Sequence, residues 1–225
     1  FPGNEKMLDL GFALRRAGAN VLTFHYSGSW GSEGKFSYTN VIEDANTALD
    51  FLLDENNAEC YHIERTKIFV IGHSMGGFAA LHLAGFREEI TATITLAPYD
   101  FRGMYELGIN GDERIMKSFN SLLKNGADWL NTSYEKLMDN VKSHPEISLT
   151  KLTPDLARRR LRIIGASYDK TALTKYNAER IAKYIESNNP VDFEYSEIQT
   201  THCFIDRRLE MIKIVAGILE TWINM

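Results

Sequence analysis

Apolar and polar residues alternate along this chain in two different periods. Short and nearly continuous apolar runs predict buried β-strands at residues 21–26, 67–72, 91–97, 161–166 and 191–198. Between these runs, apolar residues recur at helical spacing and predict helices at residues 5–17, 41–54, 75–86, 171–186 and 206–223. Because strands and helices alternate, the pattern predicts an α/β fold, with a mostly parallel central sheet covered by helices on both faces.

An insertion interrupts this alternation. About 60 residues separate the third predicted strand from the fourth, far more than an ordinary crossover needs. Two amphipathic helices are predicted there, the first with Ile115, Phe119, Leu122 and Leu123 on one face and the second with Tyr134, Leu137, Met138 and Val141. These faces are either packing surface or, since ligands bind at the carboxyl ends of parallel strands, part of a lid. The lid interpretation divides the chain into a core of residues 1–99 and 160–225 and a helical lid of residues 100–159.

Length, charge and cysteine usage narrow the functional classes. The chain has 225 residues, enough for one well-filled α/β domain, and a net charge of -5, which predicts no attraction for nucleic acid. Its two cysteines, Cys60 and Cys203, lie far apart in sequence and fit neither a disulfide framework nor a structural zinc site. No apolar run approaches the roughly 20 residues of a membrane-spanning helix.

A glycine-rich segment, GHSMGG at residues 72–77, follows the second predicted strand and opens the next helix. It fits G-x-S-x-G, in which a sharp strand-to-helix turn exposes Ser74 and admits only small residues two positions to either side, here Gly72 and Gly76. The Met75 N–H, at the helix start, then points to where an oxyanion forms, and Gly77 allows close helix packing. The alternative is a glycine-rich turn with an incidental serine, such as a phosphate cradle, but the G-K-[ST] and G-x-G-x-x-G patterns are absent.

A nucleophilic serine needs a base and an acid that orients the base. His202 lies just past the last predicted strand and is the best candidate for the base, whereas the other five histidines are assigned structural or surface roles. Asp169, just beyond the fourth predicted strand, is our candidate for the acid. Two alternatives remain: Asp169 caps a helix before Thr171, or Glu197 supplies the acid instead. Cys203 is interpreted as a packing residue.

The order Ser74, Asp169, His202 resembles that of the α/β-hydrolases, and the likeness extends over almost the whole chain. The prolyl-oligopeptidase-like and small-esterase branch is the most similar. The segment FHYSGSWGSEG at residues 24–34 resembles the YRGSGxSxG segment of that branch, except that Ser27 replaces an arginine. The insertion falls after the sixth strand of the family, where its lids are placed.

The resemblance also implies a second oxyanion donor, from the loop between the third strand and the first helix of the family. FPGNE resembles the second half of that loop, so the donor here is Phe1. The strands that precede this loop in the family are missing from the sequence, and we expect upstream residues in the natural protein.

We therefore expect a serine hydrolase that cleaves a small carboxylic ester through an acyl-enzyme, with no metal and no cofactor. Serine peptidase activity of the aminopeptidase or oligopeptidase type, acyl thioesterase activity, and a non-catalytic binding module remain alternatives. The residues expected to contact the substrate are Trp30, Trp129, Tyr134 and Met138. The sequence does not determine the cellular compartment. The cytoplasm is favoured, and a secreted or periplasmic location is possible if an upstream signal has been removed.

Overall fold

The computed structural model describes residues 7–225, so the expectations for Phe1 and for the start of the first helix lie outside the described residues. Four strands form one sheet: β1 (Ile68–His73), β2 (Ile90–Leu96), β3 (Arg160–Ala166) and β4 (Asp192–Ile198). All neighbouring pairs are parallel, and the spatial order is the chain order, β1-β2-β3-β4. Four of the five predicted strands and the parallel sheet are confirmed.

Ten α-helices occur within residues 7–225. They are α1 (Leu8–Arg16), α2 (Tyr38–Leu53), α3 (Glu55–Tyr61), α4 (Met75–Phe86), α5 (Phe101–Ile109), α6 (Glu113–Ala127), α7 (Tyr134–Ser143), α8 (Thr153–Leu156), α9 (Ala178–Glu186) and α10 (Arg208–Ile223). One face of the sheet packs with α1 and α10 in a core cluster that includes Leu14, Ile94 and Val215. The opposite face packs with α2 and with α4 to α9 in a larger cluster. Helices therefore cover both faces, as the alternation of elements predicts.

The predicted strand at residues 21–26 is wrong for the described structure, which contains no β-ladder there. A strand needs a hydrogen-bonded neighbour, and no described strand pairs with this segment. A groove of about 790 Å³ is lined both by residues 18–23 and by β1, so the segment and the free edge of β1 face a shared space. The apolar pattern alone did not reveal that no described strand pairs with this segment.

The predicted helix at residues 171–186 begins later than expected, at Ala178. The Asp169 carboxylate accepts the backbone N–H groups of Thr171 and Ala172 at 2.7 and 2.8 Å, which holds these residues in a turn. A short 3₁₀ turn, Thr174–Tyr176, connects this turn to α9. Local side-chain bonding to the backbone has displaced the start of the helix.

The insertion forms helices, as its periodicity predicts. Ile115, Phe119 and Leu123 of α6 are buried, and so are Leu137 and Val141 of α7. All of them belong to the larger core cluster, continuous with the residues that cover the sheet. Most of both apolar stripes is therefore packing surface, the first of the two interpretations. Within the described residues, no helix combines the length and the apolar character needed to cross a membrane.

Candidate active site

Ser74 lies at the sharp turn between β1 and α4. Its backbone has φ 54° and ψ -113°, a conformation that L-residues rarely adopt and that costs on the order of 1–3 kcal/mol. The Ser74 N–H donates to the Leu96 carbonyl at 2.9 Å, and the Ser74 carbonyl accepts from Phe78 in the first turn of α4 at 3.0 Å. Strand and helix thus fix the strained residue from both sides and present its hydroxyl at the sheet edge.

The glycines around this turn are not equivalent. A Cβ on Gly72 would lie 2.1 Å from the Gly76 carbonyl oxygen, so this position requires glycine. A Cβ on Gly77 would lie 3.0 Å from Pro98, which confirms the expected close packing of α4. A Cβ on Gly76 would meet only the Tyr26 hydroxyl, at the ordinary contact distance of 3.9 Å. The expectation that Gly76 must be small is therefore wrong, because the crowding falls on the Gly72 side of the turn.

Three side chains from separate loops form a continuous chain of hydrogen bonds. The Nε2 atom of His202 lies 2.9 Å from the Ser74 Oγ, and its Nδ1 atom lies 2.7 Å from the Asp169 Oδ2. Asp169 and His202 are both buried, at 6% and 8% exposure. The other carboxylate oxygen of Asp169 receives the two backbone N–H bonds of the following turn. Such a carboxylate is fixed in orientation and can hold the imidazole in one tautomer.

The two candidates for the acid differ in their contacts. Asp169 caps the turn at Thr171 and contacts His202 at once, because each of its two oxygens serves one role. The Glu197 carboxylate instead accepts hydrogen bonds from Ser167 and Tyr195, on the solvent-exposed side of the sheet edge. Glu197 is therefore engaged away from the imidazole.

Met75 is the first residue of α4, where backbone N–H groups have no acceptor within the helix. It directly follows Ser74, and its role as an oxyanion donor stays a prediction. Phe1, the second expected donor, lies outside the described residues.

A cavity of about 460 Å³ opens at Ser74 and His202. Its wall is apolar or aromatic over much of its area, with Phe24, Tyr26, Trp30, Tyr99, Phe101, Leu122 and Trp129. None of the described lining residues is Asp, Glu, Lys or Arg. Burial, followed by the nearby Asp44 charge for Tyr26 and the Asp100 charge for Tyr99, raises the pKa of both tyrosine hydroxyls well above 10. Both hydroxyls therefore stay neutral, and this part of the wall is uncharged.

Of the four residues expected to contact substrate, the structure brings two to the cavity. Trp30 and Trp129 line it, whereas Tyr134 and Met138 do not. The Tyr134 hydroxyl donates to Asn120 at 3.1 Å, and Met138 is 8% exposed within the core cluster. The expectation for these two is corrected, because α7 turns its apolar stripe toward the core.

Trp30 reaches the cavity from a strained loop. Its φ of 45° lies in the left-handed region, which is costly for a residue with a Cβ. The loop is held by Ser27, whose N–H and hydroxyl donate to the two Asp44 carboxylate oxygens at 2.6 and 2.9 Å. Ser27 thus connects this loop to Asp44 of α2 by two hydrogen bonds.

Several cavity residues were not anticipated from the sequence. Phe24 and Tyr99 follow or occupy apolar runs that predict strands, and Leu122 belongs to a stripe that predicts packing. The position of Phe24 and Tyr99 in the sequence could have identified them as cavity residues, because ligands bind at the carboxyl ends of parallel strands. Leu122 had no such signal, because its neighbours on α6 are core residues.

Comparison with known proteins identifies the family of this chain. Residues 5–184 match the family model described as serine aminopeptidase, S33. A 55-residue segment, 24% of this chain, is 42% identical to cutinase est2 of Thermobifida alba but spans only 18% of that protein's length.

Solved structures share the fold. An esterase from Pyrococcus furiosus is 18% identical, with a TM-score of 0.68 over 98% of this chain and 78% of its own. A monoacylglycerol lipase from Paleococcus ferrophilus is 14% identical, with a TM-score of 0.66 over 96% of this chain and 89% of its own. At these identities the structures establish the α/β-hydrolase fold. Since the family model covers most of the chain, this protein belongs to the serine aminopeptidase S33 family of α/β-hydrolases.

Proposed function

We propose that this protein hydrolyses uncharged carboxylic esters with Ser74 as the nucleophile, His202 as the general base and Asp169 as the acid that orients the base. The observation that carries the proposal is the hydrogen-bonded chain of these three side chains, at 2.9 and 2.7 Å, opening into a largely apolar cavity whose described lining residues include no Asp, Glu, Lys or Arg.

In the proposed reaction, His202 Nε2 removes the Ser74 proton while the serine oxygen attacks the ester carbonyl carbon. The carbonyl π-electrons move to oxygen, and the tetrahedral intermediate collapses with loss of the alcohol, which takes the proton from His202. Water, deprotonated by the same imidazole, then attacks the acyl carbon. The second tetrahedral intermediate collapses with cleavage of the bond to the Ser74 oxygen, which takes the proton back from His202 as the acid is released. The Asp169 carboxylate stabilises the imidazolium that forms twice per cycle.

The Met75 N–H is the proposed oxyanion donor in both tetrahedral steps. Its place at the N-terminus of α4 adds the positive end of the helix dipole to the hydrogen bond. Removing one such donor in other serine hydrolases costs about 10²–10³ in kcat. Phe1 remains a prediction for the second donor.

An ester is favoured over the alternatives by the charge of the cavity wall. An aminopeptidase needs an anionic group for the substrate ammonium, and an acyl-coenzyme thioesterase benefits from cations for phosphates. The described lining residues offer neither Asp or Glu nor Lys or Arg. Apolar and aromatic walls instead gain free energy by burying a hydrocarbon acyl or alcohol group.

Serine aminopeptidase activity is the second candidate, because the family description that the chain matches names it. It uses the same three side chains and differs only in the amide leaving group. The cutinase likeness points to esters, but it covers 24% of the chain. Substrate preference therefore has to be measured directly.

The test compares nitrophenyl esters of graded acyl length, aminoacyl nitroanilides and acyl thioesters. We expect the esters to have the highest kcat/KM, and a preference for the anilides would overturn the ester assignment in favour of the peptidase. Ser74→Ala should lower kcat on the order of 10⁶-fold. The control Ser148→Ala, which removes a buried hydroxyl bonded to Thr150 at 3.0 Å, should leave turnover unchanged.

A fluorophosphonate probe tests the non-catalytic alternative. Covalent labelling of Ser74 in the folded protein, lost in Ser74→Ala, is the expected result. Absence of labelling in the folded wild type would favour a binding module.

We also propose that residues 100–159 contribute a wall of the site, with Leu122, Asn125 and Gly126 of α6 and the following Trp129 facing the cavity. The division into core and lid, and a cytoplasmic location, stay predictions.

A further inference from the structure

His73, the residue before the serine, contacts the backbone of the proposed base. It ends β1, and its Nε2–H donates to the His202 carbonyl oxygen at 2.8 Å. The two imidazole rings lie 4.8 Å apart between centroids with a tilt of 45°. The edge of the Phe204 ring packs against His73 from the other side, at 6.0 Å. This side chain therefore occupies a fixed position beneath the base.

The hydrogen bond determines the proton position on His73. A carbonyl oxygen can only accept, so the proton is on Nε2 and the neutral ring has a bare Nδ1. Burial, followed by the charge of His202, lowers the pKa of His73 to about 3. His73 therefore stays a neutral donor at any pH where an ester hydrolase works, and it adds no charge opposing an imidazolium at His202.

Two main-chain hydrogen bonds hold other parts of the base loop. The Thr200 carbonyl accepts from the Tyr168 N–H at 2.9 Å, which ties the base loop to the loop of the acid. Phe204 has φ 56° and donates its N–H to the Thr201 carbonyl at 3.0 Å, which tightens the loop upon itself. The His73 side chain adds a hydrogen bond from β1 to the main chain of this loop, and the residue that follows His73 is the proposed nucleophile.

We propose that His73 is a positioning residue, which holds the His202 main chain so that one imidazole reaches both the serine hydroxyl and the carboxylate. The inference rests on the proposed function, because it assigns His202 the role of base. When the His202 main chain is held in place, only the two side-chain torsions χ1 and χ2 remain to place the imidazole between Ser74 Oγ and Asp169 Oδ2. Loosening of the loop would lengthen the 2.9 Å contact with Ser74 while leaving the cavity walls in place.

The chain contains a matched control for this bond. His82 of α4 is also a buried histidine, its Nε2 lies 3.1 Å from the Ile147 carbonyl oxygen, and burial lowers its pKa to about 4. It does not line the cavity. His82→Phe and His73→Phe therefore remove the same kind of buried bond, one away from the proposed active site and one within it.

We expect His73→Phe to lower kcat by about 10- to 100-fold, since a misplacement of about 1 Å can cost 10²-fold, with KM changed less than threefold. His82→Phe should lower the melting temperature similarly but leave kcat within twofold. His73→Gln, whose amide can donate to the same carbonyl, should recover at least part of the lost rate. His73→Asn, one methylene shorter, should not.

The assay measures kcat, KM and the rate of fluorophosphonate labelling, together with the downfield proton resonance of the His202–Asp169 hydrogen bond. We expect this resonance to broaden or move in His73→Phe and to be unchanged in His82→Phe. Equal kcat in the two phenylalanine variants, or equal rates for the glutamine and asparagine variants, would overturn the positioning role. If His73→Phe does not fold, the comparison of kcat between His73→Gln and His73→Asn tests the positioning role. A wild type that neither turns over esters nor labels would instead overturn the proposed function.

Discussion

Gly72→Ala is the sharpest test of the strained turn at Ser74, with Gly76→Ala as its control. The new methyl at Gly72 would lie 2.1 Å from the Gly76 carbonyl oxygen and 2.7 Å from the Gly77 nitrogen. Both atoms belong to the backbone, so no side-chain rotation can relieve the overlap. The turn has to open by more than about 1 Å, because ordinary carbon contacts begin near 3.5 Å. The methyl at Gly76 meets only the Tyr26 hydroxyl, at 3.9 Å.

The expected cost follows from this overlap. Overpacking in a filled core costs about 1–3 kcal/mol, and overlap with the α4 backbone, which cannot move like a side chain, places Gly72→Ala at or above about 3 kcal/mol. For a domain of this length that lowers the melting temperature by about 6–12 °C. Gly76→Ala should be neutral, or stabilise by up to about 1 kcal/mol, because alanine favours the helix over glycine.

Thermal and urea denaturation measure the stability, and fluorophosphonate labelling measures whether Ser74 remains exposed and activated. Opening the turn moves the Ser74 Oγ away from His202 Nε2, so Gly72→Ala should also label at least about 10²-fold more slowly. If the two alanine variants had the same stability and labelling rate, the steric account of the turn would be refuted.

Three other predictions follow from the site and its buried histidines. Asp169→Asn should lower kcat by roughly 10⁴-fold with the fold intact, measured as ester turnover and circular dichroism, and a loss under tenfold contradicts the proposed acid. Trp129→Ala, at a side chain 67% exposed, should raise KM for long acyl esters several-fold with no change in melting temperature. The free energy of unfolding should fall as pH drops below 6.5, because the lowered pKa values of His73 (about 3) and His82 (about 4) leave the unfolded chain binding protons that the folded chain does not. Each histidine contributes up to about 1.4 kcal/mol per pH unit to the slope of the unfolding free energy against pH. Urea denaturation at several pH values between about pH 7 and about pH 5 measures this slope, which should be smaller for His82→Phe than for the wild type.

The parts of the fold that follow local rules were predictable. Ser74, Asp169 and His202 each stand just past a predicted strand, and the carboxyl ends of parallel strands meet at one edge of a sheet. Helix α4 was predicted with the bounds that the structure has, Met75–Phe86. The sharp strand-to-helix turn at Ser74 marks where this helix starts, and a long apolar run follows it. The convergence of the three side chains thus required only the strand pattern and the parallel topology.

Features that depend on specific hydrogen-bond partners were not predictable. Residues 21–26 have the pattern of a strand, but a strand exists only where another strand bonds to it, and none in the described part of the chain does so here. The late start of α9 depends on the Asp169 carboxylate, which is engaged by two N–H groups as well as by His202. The periodicity of apolar residues does not indicate either the missing strand pairing or the hydrogen bonds of Asp169.

Sequence periodicity also does not show whether the apolar face of a helix points to the core or to a cavity. A stripe that packs on the core and a stripe that lines a cavity have the same spacing, so Tyr134 and Met138 could not be separated from true wall residues by periodicity. Trp129 lies just after the end of α6, at 67% exposure, and a large apolar side chain left exposed beside a site is the better indicator of contact with a ligand.

His73 and His202 show how placement on the backbone assigns different roles to identical side chains. Successive side chains of a strand point to opposite faces, so His73 diverges from Ser74 and turns to the loop below, where its only N–H is used by a carbonyl. His202 comes from a loop and directs one nitrogen to a hydroxyl and the other to a carboxylate. Only the second arrangement lets an imidazole gain and lose a proton while staying in place. Because burial keeps the first ring neutral, the two histidines can lie 4.8 Å apart without opposing each other's charge.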